Sequence, residues 1–213
     1  MGHTPFCQRT MAAVGSGQTS CIAGCRTTSD VHPTGEEQMS QQALKTALMG
    51  TIEAIQKNPQ SSKAVFRAQT RWEEGVRCTG KVRDFAPITV DEPPELGGTD
   101  AGPNPVELVL VALGTCQEIM YSAYAAVMGI PLNSVRVDLR GFLDLKGLFG
   151  LDPAVPSGYQ KVEFEAIIDS PAGPEKVQEL VHAVQTHCPV LDTLARPIEI
   201  VGKVTHNGRP LAV

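Results

Sequence analysis

The sequence predicts an α+β fold, and three observations predict it. One long, apolar, helix-like stretch occupies residues 104–129. Strand-like alternation is gathered in runs before and after that stretch, not threaded between regularly repeated helices. Separate helical patterns stand near the start and near the end of the chain. Runs of strands with segregated helices are the signature of α+β layers.

The central stretch reads NPVELVLVALGTCQEIMYSAYAAVMG. Asn104 suits the N-cap and Pro105 the first helical position, and Glu107 falls where a capping box needs it. Gly129 and Pro131 supply the stop. At about 1.5 Å per residue the helix runs on the order of 35 Å. It is apolar nearly all round, which predicts a buried helix. Cys116 sits in its middle, either as a small hydrophobe or as a reactive thiol in a dry pocket. At about 100° per residue Glu107 lies roughly half a rotation from Cys116. Gln117 and Glu118 also turn away. Glu107 therefore reads as the capping glutamate and not as a partner of Cys116.

The other elements follow in order. Residues 41–58 carry apolar side chains at helical spacing, and Pro59 ends that helix. Residues 63–72, 76–83 and 85–90 read as three strands of an antiparallel meander. Cys78 falls in the second and reads as structural. Residues 91–102, dense in Pro and Gly, form a loop that delivers the chain to Asn104. Residues 134–141 alternate cleanly as a half-buried strand, and residues 159–168 form the next. Between them, residues 142–158 are an apolar, Gly/Pro-punctuated segment of a length that usually serves a function or covers something. Residues 174–187 read as an amphipathic helix. Pro189 then opens a short helix with Cys188 at its N-cap, and residues 197–204 read as a last strand.

Composition bounds the function. The chain has 213 residues, 42% apolar and 19% charged, with a net charge of -5. That length fits one domain, residues 39–213, behind a disordered tail, residues 1–38. The acidic balance without a basic cluster argues against nucleic acid. Glu107 and Glu118 interrupt the longest apolar run, which argues against a membrane span. The first residues lack the apolar core of a secretory signal, so a cytoplasmic location with reduced thiols is expected. The six cysteines are too sparse for a disulfide scaffold. Cys21 and Cys25 stand near His3 and His32, but no second pair follows, so no metal is expected. Cys188 at a helix start has backbone N–H groups to favour its thiolate, with His187 beside it. Cys116 in a core needs a cation or dipole brought from elsewhere, because burial raises a thiol pKa.

The stretch GGTDAGPNPVELVLVALGTC, followed by HCPVLDTL at residues 187–194, resembles the OsmC/Ohr family of small redox proteins. The resemblance covers roughly residues 64–204, and DLRGFLDLKGLFGLDPAVPSGYQ resembles a longer OsmC-like subgroup. It implies an α+β domain forming an intertwined homodimer, with two antiparallel-rich sheets around long central helices and active sites at the subunit interface. In the peroxidase branches a cysteine on the central helix attacks the hydroperoxide and becomes a sulfenic acid. A second cysteine condenses with it, and a dithiol reductant reopens the disulfide. Carried over by motif, Cys116 is the peroxidatic and Cys188 the resolving thiol. Arg83, ahead of Arg77, is the candidate thiolate stabiliser. The implied partners are a second copy, an organic hydroperoxide or other small apolar substrate, and a dithiol reductant, with no cofactor. One departure stands out: the peroxidase branches carry a glutamate directly after the Asn-Pro, where this chain has Val106. Two rival readings follow: a non-catalytic relative that binds a small apolar or thiol ligand, and a thiol oxidation sensor. A cation within about 4–6 Å of Cys116 separates enzyme from binder. The 142–158 segment reads equally as a wall of a substrate pocket or as packing against a partner subunit.

Overall fold

The computed structural model describes residues 40–212. The tail over residues 1–38, with Cys7, Cys21, Cys25, His3 and His32, lies outside the described residues. Helix α1 (Gln41–Lys57) starts at Ser40, whose hydroxyl accepts from the Ala43 N–H. Strands β1 (Gln69–Glu74), β2 (Arg77–Lys81) and β3 (Ile88–Val90) form the expected antiparallel meander in the order β1-β2-β3. Trp72 stands opposite Cys78, and Cys78 opposite Val90. All three strands are shorter than their alternation suggests. β2 ends at Lys81, the partner of Gln69, so residues 63–68 have no strand beside them. Between β2 and β3 the chain turns through Arg83 at φ 50, and Pro87 has no N–H to give a ladder.

Helix α2 (Pro105–Met128) has the capping box read from the sequence. Asn104 Oδ1 accepts from the Glu107 N–H at 2.9 Å, and Glu107 Oε2 accepts from the Asn104 N–H at 2.8 Å. Gly129 closes the helix in the left-handed conformation at φ 69. By length and composition α2 equals a membrane span, despite Glu107 and Glu118. Here it packs against α1, β4, α4 and α5 as a core helix. Among the described residues only one side is covered: Leu113, Gly114, Gln117, Tyr121, Ala125 and Ala126 are buried, whereas Ile119 keeps 66% of its surface exposed. All-round burial, expected from the sequence, is not reached by one chain alone.

Strands β4 (Ser134–Phe142) and β5 (Lys161–Asp169) pair antiparallel without a break, from Ser134 opposite Asp169 to Phe142 opposite Lys161. The segment between them holds a single turn of helix, α3 (Leu145–Leu148), capped by Asp144. Among the described residues β5 is bonded to β4 alone. Helices α4 (Pro174–His187) and α5 (Pro189–Ala195) follow. Tyr121 and Ala125 of α2 meet Leu180 and Val184 of α4, with Ile130, in the core; Val135, Ala166 and Ile168 of the β4-β5 pair pack against them. The expected strand over residues 197–204 is corrected. Residues 197–203 carry no strand because none of the described residues forms one beside them, and Ile200 is 85% exposed. The chain instead ends in a hairpin, β6 (Val204–His206) with β7 (Arg209–Leu211). Its Asn207-Gly208 turn has φ 50 and 77, the positive values that a two-residue hairpin loop demands.

Candidate redox site

The local sequence explains how Cys188 is aimed. Proline at 189 drives the preceding residue out of the helical region, and Cys188 sits at φ -71, ψ 112 as the last cap of α4 and the first of α5. Its N–H bonds back to the Val184 carbonyl, and its own carbonyl accepts from the Asp192 N–H. The corner is thus held on both sides. It directs the Cys188 sulfur onto α2, where it meets the Cys116 sulfur at 3.5 Å. Both thiols are free. Cys188 is fully buried and Cys116 half-buried, so a small reactant meets Cys116 first.

Burial pushes the Cys116 thiol pKa up. The backbone N–H of Val190, in the first turn of α5, pulls the other way, and the neighbouring Cys188 adds to the rise. The amino end of α5 therefore favours the Cys116 anion, where the sequence suggested a benefit to Cys188. No cation is among these influences. His187 is turned to the Ala183 carbonyl at 2.8 Å and packs on the Tyr124 ring at 5.4 Å. Arg83 lies over the Phe85 ring at 4.5 Å, and Arg77 pairs with Glu74. Within one chain neither arginine acts on Cys116.

Glu107 is spent in the capping box, as its helical position suggested. Val106, where the peroxidase branches carry glutamate, offers its carbonyl to the Tyr159 hydroxyl at 2.9 Å. That bond ties the end of the 142–158 segment to the first turn of α2, roughly 15 Å along the helix from Cys116. Cys78 is half-buried in β2. Among the described residues no group of three or more His, Cys, Asp or Glu is placed to hold a metal.

Three polar residues have surroundings that the sequence reading did not assign. Asp91 is 2% exposed and accepts from the N–H groups of Glu92, Thr99 and Ala101 and from the Thr99 hydroxyl. Those bonds hold its carboxyl at about pKa 2, with the Thr99 hydroxyl the largest cause. The signal was an Asp opening a Pro/Gly loop, where Asx bonding is expected. Gln117 is wholly buried, and neither end of its amide has a protein partner among the described residues. Glu118 accepts from the Val137 N–H at 3.1 Å. For these two the signal was polarity inside an otherwise apolar helix.

A long central helix carrying one thiol, faced by a second thiol at a helix–helix corner on an α+β frame, defines a small dithiol protein. Residues 98–202 match the model of the OsmC-like protein family. Its fold is similar to that of an OsmC-like protein from Mycoplasma pneumoniae, at 21% identity and TM-score 0.54, covering 62% of this chain and 89% of that one. It is also similar to an OsmC-like protein of unknown function from Vibrio cholerae, at 14% identity and TM-score 0.51, covering 62% and 94%. An organic hydroperoxide resistance protein OsmC from Legionella pneumophila aligns at 22% identity and TM-score 0.49, covering 62% and 91%. No curated protein matches the chain.

Proposed function

We propose that the protein is a two-cysteine redox protein that reduces organic or hydrogen peroxide. The observation that carries this reading is the 3.5 Å approach of two free sulfurs, one reachable and one buried. The match of residues 98–202 to the OsmC-like family supports it. In the proposed cycle the Cys116 thiolate attacks one peroxide oxygen and the O–O bond breaks. The other oxygen leaves as an alkoxide, takes a proton and departs as the alcohol, or as water from hydrogen peroxide. Cys116 keeps a hydroxyl as sulfenic acid. The Cys188 sulfur then attacks the oxidised sulfur, the hydroxyl departs with the thiol proton as water, and the disulfide forms. A dithiol reductant reopens it by exchange and is itself oxidised. From contact to a bond of about 2.05 Å the sulfurs close by about 1.5 Å.

Burial opposes the first step, because it holds Cys116 protonated. The proposed remedy is a second copy of the chain, with its Arg83 brought to the thiol across a homodimer interface. The exposed apolar side of α2, with Val111 and Ile119, and the unpaired Ile198, Ile200 and Val201 support such an interface. A cytoplasmic setting with reduced thiols completes the reading.

A second reading has its own observation. The glutamate of the peroxidase branches is replaced by Val106, and Glu107 is committed to Asn104. That favours a relative that binds a ligand at the pair or senses oxidation without turnover.

Mass spectrometry after one equivalent of cumene hydroperoxide tests the proposal, on the parent and on Cys116→Ser and Cys188→Ser variants. The expected result is a rapid Cys116–Cys188 disulfide in the parent and a trapped sulfenic acid on Cys116 in Cys188→Ser. Persisting peroxide with Cys116 still reduced would sink the catalytic reading.

A further inference from the structure

We propose that Glu118 is a positioning residue for Cys116, holding α2 from behind so that the thiol faces Cys188. The proposal rests on reading the two cysteines as a working pair. Glu118 is one of only two charged residues in α2, and the other, Glu107, is explained by the capping box. A half-buried carboxylate in an apolar helix needs a partner, and this one is specific. Glu118 Oε1 accepts from the backbone N–H of Val137 in β4 at 3.1 Å. In an antiparallel ladder the N–H and C=O of one residue point to the same side, so Val137 turns both away from β5. Helix α2 covers that edge of β4.

One turn earlier, Gly114 makes the second contact with the same place. A Cβ added there would lie 2.7 Å from Leu139 Cδ1 and 3.8 Å from the Val137 carbonyl oxygen. At about 100° per residue Gly114 and Glu118 are each roughly 200° from Cys116, in opposite senses. Both tethers therefore lie on the face opposite the thiol. At a side-chain radius of about 5 Å, a helix rotation of about 20° moves a sulfur by about 1.7 Å. That is the size of the gap between sulfur contact and a disulfide bond, so a modest loss of rotational registry misaligns the pair. The same geometry excludes Glu118 as a base for Cys116: it points the other way.

Two measurements on the full chain test this, with Glu118→Ala, Glu118→Gln and Glu118→Asp. One is the rate of Cys116–Cys188 disulfide closure after cumene hydroperoxide. The other is the affinity for phenylarsine oxide, which bridges two thiols and needs no redox chemistry. With the fold verified by circular dichroism, Glu118→Ala is expected to lower both by about tenfold, the scale of one lost hydrogen bond to a charged group. Glu118→Gln keeps an acceptor oxygen at the same reach and is expected to stay within about twofold of the parent. If Glu118→Ala does not fold, Glu118→Asp replaces it: the carboxylate is one methylene short and arsenical binding should weaken. Parent-like closure and binding in the folded Ala or Asp variant overturn the proposal, as does an equal loss in Ala and Gln. A parent that binds the arsenical but never closes on peroxide defeats the redox reading alone. Positioning then stands or falls on the arsenical series.

Discussion

Tyr159 reaches across 53 residues of sequence to donate its hydroxyl to the carbonyl of Val106 at 2.9 Å. The bond joins the end of the apolar segment to the first turn of the helix that carries Cys116. Tyr159→Phe removes it while keeping the ring, and is expected to cost about 1 kcal/mol in urea denaturation. Tyr159→Ala removes the ring as well and is expected to cost about 3 kcal/mol or more. A Phe variant as labile as the Ala variant would show that the hydroxyl, not the ring, holds the segment.

Asp91 gives the protein an acid-sensitive clasp. Its carboxyl is lowered from 3.8 to about 2 in the folded chain, so the folded state binds its proton more weakly than the unfolded one. The stabilisation is complete above about pH 4 and is lost as pH falls through about 2. Thermal unfolding of the parent should therefore show a fall in Tm over that window that Asp91→Asn lacks. At neutral pH the Asn variant should already be less stable. Parallel Tm curves for the two proteins would rule the clasp out.

Gln117 is buried with an unpartnered amide. Such a group costs about 1–3 kcal/mol, and a leucine of similar volume does not carry that penalty. Gln117→Leu is expected to raise the denaturation midpoint by the equivalent of about 1–2 kcal/mol. A lowered midpoint would mean that the amide is bonded in solution.

The pH dependence of Cys116 alkylation isolates the proposed cation. In a Cys188→Ser background, to which Arg83→Ala is added, burial should place the midpoint of iodoacetamide reactivity above the ordinary thiol value of 9.0. With Arg83 intact and the protein dimeric, the midpoint should fall below that value, since an opposite charge nearby favours the thiolate. Coincident midpoints would remove Arg83 from the site.

The elements that depend on local signals were legible in the sequence. The capping box of Asn104 and Glu107, the Gly129 stop, the β4 alternation and the proline corner at Cys188 all stand where residue pattern placed them. What the sequence hid was distance. Cys116 and Cys188 are 72 residues apart, and nothing in their spacing brings them together. The Glu118–Val137 bond is hidden for the same reason, since its partner is a backbone group of another segment, whereas the Asp91 clasp lies within its own loop. Residues 197–203 misled because alternation reports what a segment would pair with, not whether a neighbour stands beside it. The Asn207-Gly208 hairpin was legible but was overshadowed by that run.

The two long strands are guarded unequally. β4 has its outer side closed at Val137 by α2, whereas among the described residues the outer side of β5 is open. Open strands recruit one another into aggregates unless charge deters them. β5 carries Lys161, Glu163, Glu165 and Asp169 along its length. A lone chain is thus kept from wrong company by electrostatic repulsion, a protection that added salt weakens. Handling at low ionic strength should keep the lone chain in solution longest.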